Sequence, residues 1–353
     1  MPDTIRAAVI GYGPMHHFGW AHCAWISNAA EFELVGVCDR DPERTEVARQ
    51  DWPGIETWND TAELFARDDI DLVSVVTPHF THAPIAIEAL RAGKHVVVEK
   101  AMCLSVAEAT AMIEAAEEAG RTLAVHHNRR HDGNFRRIKQ LVDEGEIGEV
   151  FQVDLEAGGY GDPSHGWYTE KAKGGGLLYF WGPHAVDWVL NLVGEPVTGV
   201  TGFFFKKVWD HVDIADHAKC VLRFESGCVA EVTYSRINAA PRPLWRVLGT
   251  EGAILDSGAP ATKGYEHVIS TPPQGSVKLI RVRDRGHRRE EIEVPNLAND
   301  WDSYWRDLAG HLLRGAPVPV SGHDGRRTIA VFEAAERSSQ AGVTEPVAYE
   351  EVR

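Results

Sequence analysis

Between residues 5 and 125, short runs of apolar, largely β-branched residues alternate with amphipathic stretches. The runs are IRAAVIG, FELVGVCD, DLVSVVTP, HVVVEK and RTLAV, each separated from the next by a helical pattern. Strands this uniformly apolar are buried on both faces, and the sheet that buries both faces is a parallel one covered by crossover helices. The alternation therefore predicts a Rossmann-type α/β domain over residues 1–126. Its clearest helix is SVAEATAMIEAAEEAGR, with Ser105 and Glu108 spaced as a capping box and Gly120 ending the run.

Beyond IGEV the texture changes to longer alternating strands: EVFQVDLEA, VTGVTGFFFKKV, AKCVLRFES and CVAEVTYSR, the last two joined by a tight turn at Ser226-Gly227. They predict a large, mainly antiparallel sheet in an α+β domain over 127–353, closed by amphipathic helices at 301–313 and 326–338. With 353 residues, 44% of them hydrophobic, the chain can fill two cores. Its 52 acidic and 36 basic side chains leave a charge of −16, which repels phosphate backbones and anionic lipids; neither nucleic acid nor membrane is an expected partner. The N-terminus lacks a leader pattern and no apolar stretch nears the ~20 residues of a membrane span, so a cytoplasmic protein is expected. Five cysteines without a CxxC spacing suggest neither a disulfide framework nor a thiolate zinc site.

The stretch AVIGYGPMHHFGWAH holds the first chemistry. A dinucleotide loop needs one glycine for a tight turn, a second to let backbone approach pyrophosphate, and a third to let helix pack on strand, with an acidic residue about twenty positions on for the ribose. Gly11 and Gly13 supply the first two, and His16 stands where the third would be. With Gly19 as the third glycine, Asp39 follows at the expected interval, so the loop reads as lengthened rather than broken. Pro14 has no N–H, which leaves Met15, His16 or the following amides as donors to the pyrophosphate, with Tyr12 a further candidate cofactor contact. Asp39 accepts from ribose hydroxyls and repels a 2′-phosphate, favouring NAD, with NADP as the alternative. Arg40 either stacks on adenine or serves a phosphate.

The segment VVTPHFTHAPIAIEALRAGKHVVVEKAM then carries a resemblance. Thr77, Pro78 and His82 form a TPxxxH segment around His79, and Gly93 to Lys100 a GKHVxxEK segment containing Glu99. NRR, beginning at Asn128, is followed by GEIGEV, and GGGLLYFWGPHAVDW comes further on. Together these resemble the Gfo/Idh/MocA family of sugar and cyclitol oxidoreductases across nearly the whole chain. The resemblance implies a Rossmann domain, a C-terminal α+β domain whose open sheet often forms the oligomer interface of a homodimer or homotetramer, and a nicotinamide cofactor. It implies catalytic roles for Lys100 and His184, which suits the chemistry. A secondary alcohol loses its hydroxyl proton as hydride leaves carbon, so a lysine or histidine is wanted beside it. Two departures stand out: the proline of the family's EKP is Ala101, and the catalytic-set aspartate four residues before the histidine is Phe180.

Phe180 and Trp181, with Trp167, Tyr168 and Asn128, are the candidate contacts to a sugar-like substrate, since aromatic faces suit the C–H sides of a pyranose or an aryl aglycone. Phe180 and Trp181 read equally well as core aromatics at a helix start. Asp187 reads as a residue that orients its neighbours. His16, His17 and His22, or His211 with Asp213, Asp216 and His217, make no HExxH-like unit, and no metal is expected. The expected activity is an NAD(P)-dependent dehydrogenase acting on a sugar, cyclitol or glycoside. The alternatives are a lyase or glycosidase that oxidises transiently without net redox change, and a non-catalytic dinucleotide-binding regulator.

Overall fold

The computed structural model describes residues 4–14, 17–256 and 274–347. Met15 and His16 lie outside them. The chain forms two compact units, one built from residues up to Asn128 together with Asp300–Arg326, the other from Arg129 onward without that segment.

The first unit contains strands β1 (Ile5–Ile10), β2 (Phe32–Cys38), β3 (Glu56–Trp58), β4 (Leu72–Val75), β5 (His95–Val98) and β6 (Leu123–Val125). They pair in parallel in the order β3-β2-β1-β4-β5-β6. This is the doubly wound order expected of the alternating runs, and its direction reverses between β1 and β4. Val9, Val37, Val73, Val75, Val97 and Val98 are all buried, as strands covered on both faces require. Ser105 caps its helix through a 3.1 Å bond from the Glu108 amide, while the Glu108 carboxylate takes the Leu104 amide, one residue before the cap, at 2.8 Å. The helix Asp302–Arg314, in the region expected as a second domain, belongs to this unit and inserts Tyr304 and Trp305 into its core. Trp305 meets Phe32 edge-on at 5.6 Å.

The second unit holds β7 (Val150–Gly158), β8 (Val197–Phe205), β9 (His217–Phe224), β10 (Val229–Ser235), β11 (Trp245–Gly249), β12 (Gly252–Asp256), β13 (Ser276–Arg283) and β14 (Arg288–Pro295). The sheet order is β14-β13-β12-β11-β7-β10-β9-β8, antiparallel except where β7 meets β10. Strand alternation gives this sheet two different faces. On one, Trp245 of β11 packs with Phe135 of the helix Gly133–Asp143 and Trp188 of the helix Gly182–Val193, at ring separations of 5.5 to 6.0 Å. The other face carries ion pairs: Arg246–Asp154 at 2.5 Å, Arg242–Glu156 at 2.6 Å and Lys219–Glu231 at 2.6 Å. Phe203 and Phe205 lie on this polar face, since Phe203 stands directly opposite Lys219, and each is 42% exposed.

Gly202 of β8 lets the last helix, Gly322–Ala341, seat directly on the sheet: its amide donates to Ser338 Oγ at 3.0 Å, and a Cβ there would lie 1.9 Å from the Ala335 carbonyl oxygen. Backbone blocks the added methyl, so Gly202→Ala is expected to cost about 1–3 kcal/mol in urea denaturation, with far-UV circular dichroism retained.

Candidate active site

Main-chain hydrogen bonds continue the parallel ladder past the strand ends: Gly11 N to Cys38 O, Val76 N to Ile10 O, Glu99 N to Val75 O and His126 N to Val98 O, all 2.8 or 2.9 Å. This fixes the loops after β1, β2, β4, β5 and β6 side by side at the carboxyl edge of the sheet, where ligands of such folds bind.

At β1 the lengthened glycine loop has the expected division of labour. Gly11 has φ +104°, and a Cβ there would lie 2.5 Å from the Val76 carbonyl oxygen. Gly19, in the helix Phe18–Asn28, would drive a Cβ to 2.4 Å from the Gly11 carbonyl oxygen, so it performs the packing role of the third glycine. Gly13 is exposed, and a Cβ there would meet nothing within 4 Å among the described residues, an open backbone that suits a diphosphate. Asp39 sits beside the loop, Oδ2 accepting the Tyr12 amide at 2.7 Å and Oδ1 the Asp41 amide at 2.9 Å. The following helix is capped by Asp41, not Asp39. The Tyr12 amide is thus engaged by Asp39. Its ring is buried, with the hydroxyl donating to Asp51 Oδ2 at 2.7 Å and accepting from Trp52 Nε1 at 3.1 Å. Arg40 is exposed. These groups fit a dinucleotide.

After β4, Thr77 and His82 close a compact turn. His82 is fully buried and sets its ring nitrogens 2.6 Å from the Thr77 carbonyl and 2.8 Å from the Ala101 carbonyl. Burial pulls its pKa down against those two carbonyls. Ala101, in the place of the family proline, is held by this contact. Thr81 Oγ1 donates to the Pro78 carbonyl at 2.7 Å, and the His79 ring lies 5.6 Å from that of His82. Lys100 follows Glu99 at the end of β5, its Nζ 5.8 Å over the Phe18 ring.

Glu99 lies beneath. Its Oε1 accepts from His126 Nδ1 at 2.7 Å and from His22 Nε2 at 3.0 Å, and Oε2 accepts the Lys100 amide at 3.0 Å. Ser74 Oγ is 2.7 Å from His22 Nδ1. Burial raises the Glu99 pKa, but the bonds from His126 and His22 prevail and hold it well below the usual carboxylate range. Among the described residues, His22, Glu99 and His126 are the three potential ligands that converge, within 4.8 Å. The other histidine sets disperse: His211 meets Asp162, His217 meets Ser235, and Asp216 accepts the amides of Lys207 and Val208. His126 and Ser74 carried no signal in the sequence, because only strand order brings them to His22 and Glu99.

The substrate candidates divide between the units. Asn128 ends the first and is buried. In the second, Tyr168 packs on Phe180 at 5.6 Å and on Trp167 at 6.1 Å, and Trp181 stacks on Tyr234 at 5.7 Å. All four are partly exposed. His184 is buried in the first turn of its helix, and Asp187 binds Arg130 through two bonds, at 2.6 and 2.9 Å. Lys100 and His184 belong to different units.

A parallel sheet in this strand order, a glycine turn opening onto a helix N-terminus and an acidic residue just after β2 define a dinucleotide-binding fold, and the family match makes it that of an NAD(P)-dependent oxidoreductase. Residues 5–127 match the model of the oxidoreductase family with an NAD-binding Rossmann fold, and residues 135–255 the GFO/IDH/MocA C-terminal domain. The chain is 26% identical over 349 residues to the scyllo-inositol 2-dehydrogenase (NADP(+)) IolW of Bacillus subtilis (strain 168), covering 96% of this chain and 94% of that one. It is 30% identical over 287 residues to the scyllo-inositol 2-dehydrogenase (NAD(+)) of the same organism, covering 78% and 79%. The solved structure of yvaA from Bacillus subtilis superposes with a TM-score of 0.89 at 26% identity, over 98% of this chain and 99% of that one. The chain belongs to the GFO/IDH/MocA family.

Burial drives the His126 pKa down from 6.5 to about 4. Between those values the unfolded chain binds a proton that the folded chain refuses, so stability falls as pH falls, and Glu99, depressed below 4.5, adds to the loss at the acid end. Acidification from about pH 7 to about pH 5 is expected to lower the urea midpoint of the wild type more than that of His126→Asn.

Proposed function

We propose that this enzyme oxidises a secondary hydroxyl of a cyclitol, sugar or sugar derivative, glycosides included, with NAD preferred to NADP. The observation that carries the reading is the position of Lys100, at the carboxyl end of β5 on the sheet edge that also bears the glycine loop. Lys100 accepts the hydroxyl proton in oxidation and returns it in reduction, and His184 orients the hydroxyl or shares its proton. A nicotinamide cofactor, which the glycine loop and Asp39 would hold, would supply the hydride acceptor. The preference for NAD rests on the Asp39 carboxylate, which two backbone amides hold beside the loop where it would repel a 2′-phosphate. Two inositol dehydrogenase relatives support the cyclitol class, and the partly exposed Trp167, Tyr168, Phe180 and Trp181 support a ring-shaped substrate with apolar C–H faces.

Two further features of the reading concern the whole molecule. Phe203 and Phe205 on the polar sheet face support a homodimer or homotetramer assembled through that sheet. Five free, buried cysteines suit the reducing cytoplasm.

Titration of the cofactor-free protein with NADH and NADPH, followed by energy transfer from its tryptophans, is expected to show about tenfold or tighter preference for NADH. With scyllo-inositol, myo-inositol and a set of aldoses as substrates, net NADH formation is expected from the wild type. Lys100→Met is expected to lower turnover about a hundredfold or more while NADH affinity stays within about threefold. Unchanged turnover would remove Lys100 from the reaction, and turnover without net NADH would indicate transient oxidation instead.

A further inference from the structure

A carboxylate buried at the end of a parallel strand is costly unless its oxygens all meet donors. Glu99 is 6% exposed, and the three donors on its two oxygens are described above. An ionised carboxylate only accepts, so the contacts say which imidazole nitrogens carry a proton towards it. His22 Nε2 therefore carries a proton facing Glu99, and Ser74 Oγ lies 2.7 Å from Nδ1 on the other side of the ring. His126 Nε2 is buried without a hydrogen-bond partner among the described residues, so its proton sits on Nδ1, also facing Glu99. Trp25, Tyr304 and Trp305 wall in the His126 ring, with centroids 4.7 to 6.0 Å away. The separations of 2.7 and 3.0 Å are hydrogen-bond lengths, and a metal ion would have to replace both protons.

We infer that His22 and His126 are positioning residues for proton transfer: by clamping Glu99 from within the sheet they fix the Lys100 peptide and so aim the Lys100 side chain. The inference rests on the reading of Lys100 as the proton acceptor. The grip has two sides. Glu99 Oε2 holds the amide on one side of Lys100, and on the other the buried His82 ring packs against the Ala101 carbonyl, Nδ1 lying 2.8 Å from it. The lysine therefore leaves a main chain tied to β4, β5 and β6 together, and aim of this kind contributes to rate through orientation rather than through substrate affinity.

The full chain carrying Glu99→Gln, His126→Asn, His126→Phe or Lys100→Arg tests this in two ways. Asparagine can donate from near the position of Nδ1, whereas phenylalanine keeps the ring and loses the donor. Reductive methylation with ¹³C-formaldehyde, with the Lys100 signal assigned by its loss in Lys100→Arg, allows that lysine to be titrated by NMR without any substrate. The Lys100 pKa is expected to fall by about half a unit or more in Glu99→Gln and His126→Phe, because the ionised carboxylate is lost or weakened, and to stay near wild type in His126→Asn. In turnover, His126→Phe is expected to lose about tenfold in kcat with both KM values within about twofold, and His126→Asn to recover most of it. A wild-type chain that oxidises no polyol would end the dehydrogenase reading, while the Lys100 titration would still decide the clamp. A Lys100 signal that titrates alike in wild type, Glu99→Gln and His126→Phe would overturn the inference. So would a stoichiometric metal ion in the purified wild type that His126→Asn releases. If the His126→Phe chain does not fold, Glu99→Gln alone decides, since it leaves both imidazoles and the side-chain shape in place.

Discussion

The hydrogen bonds that carry the parallel ladder one residue past its strands hold the chemistry of the first unit in place. Gly11, Val76, Glu99 and His126 each donate a backbone amide to the last residue of a neighbouring strand, at 2.8 or 2.9 Å. A parallel ladder points every strand the same way, so these residues and Asp39 share one edge without being near one another in sequence. The apolar strands behind them leave that edge as the place where buried polar groups can accumulate and be satisfied. The placement of the glycine loop, Asp39, Lys100 and the buried Glu99 carboxylate follows from one sheet geometry.

What could be read in the sequence follows from how local each signal is. That the β1 loop, Asp39 and Lys100 stand at strand ends was legible because each follows an apolar run that the alternation marks as a strand; the role expected of Lys100 came from the resemblance. The lengthened loop shows this well. The interval between Gly19 and Asp39 implied that Gly19 packs the helix, and its approach to the Gly11 carbonyl is that packing. The Glu99 clamp was illegible for the opposite reason. His22 and Glu99 are separated by 77 residues, Glu99 and His126 by 27, and no periodicity links them. The helix Asp302–Arg314 could be recognised by its amphipathic pattern, yet its destination could not, because a pattern states that one face is buried and not against what.

The second unit shows the same division. Strands β7 to β10 and the Ser226-Gly227 turn were evident from alternation, while β11 to β14 were not singled out and the parallel pairing of β7 with β10 required the tertiary order. Asp187 could be read as an orienting residue, but its partner could not. Arg130 lies 57 residues away, and its planar guanidinium meets both carboxylate oxygens in a largely buried pair. Removing one member would leave the other charge buried, so such pairs fix geometry more than they add stability.

Phe180 bears most directly on the proposed chemistry. A phenyl ring neither accepts the hydroxyl proton nor stabilises a charge, so in the proposed reaction the carboxylate expected there contributes nothing and the proton must be managed by Lys100 and His184. That places a premium on how firmly Lys100 is held. In the first unit its amide is bound by an ionised carboxylate that two imidazoles keep in register, and the Ala101 carbonyl lies against a third imidazole. In the second, Phe180 packs against Tyr168 and contributes an apolar surface instead of a charge. The polar groups of the first unit are thus spent on holding one peptide, and Phe180 leaves apolar surface in the second, so under the proposed function specificity is expected to follow the shape and C–H faces of the substrate more than its hydrogen-bonding pattern.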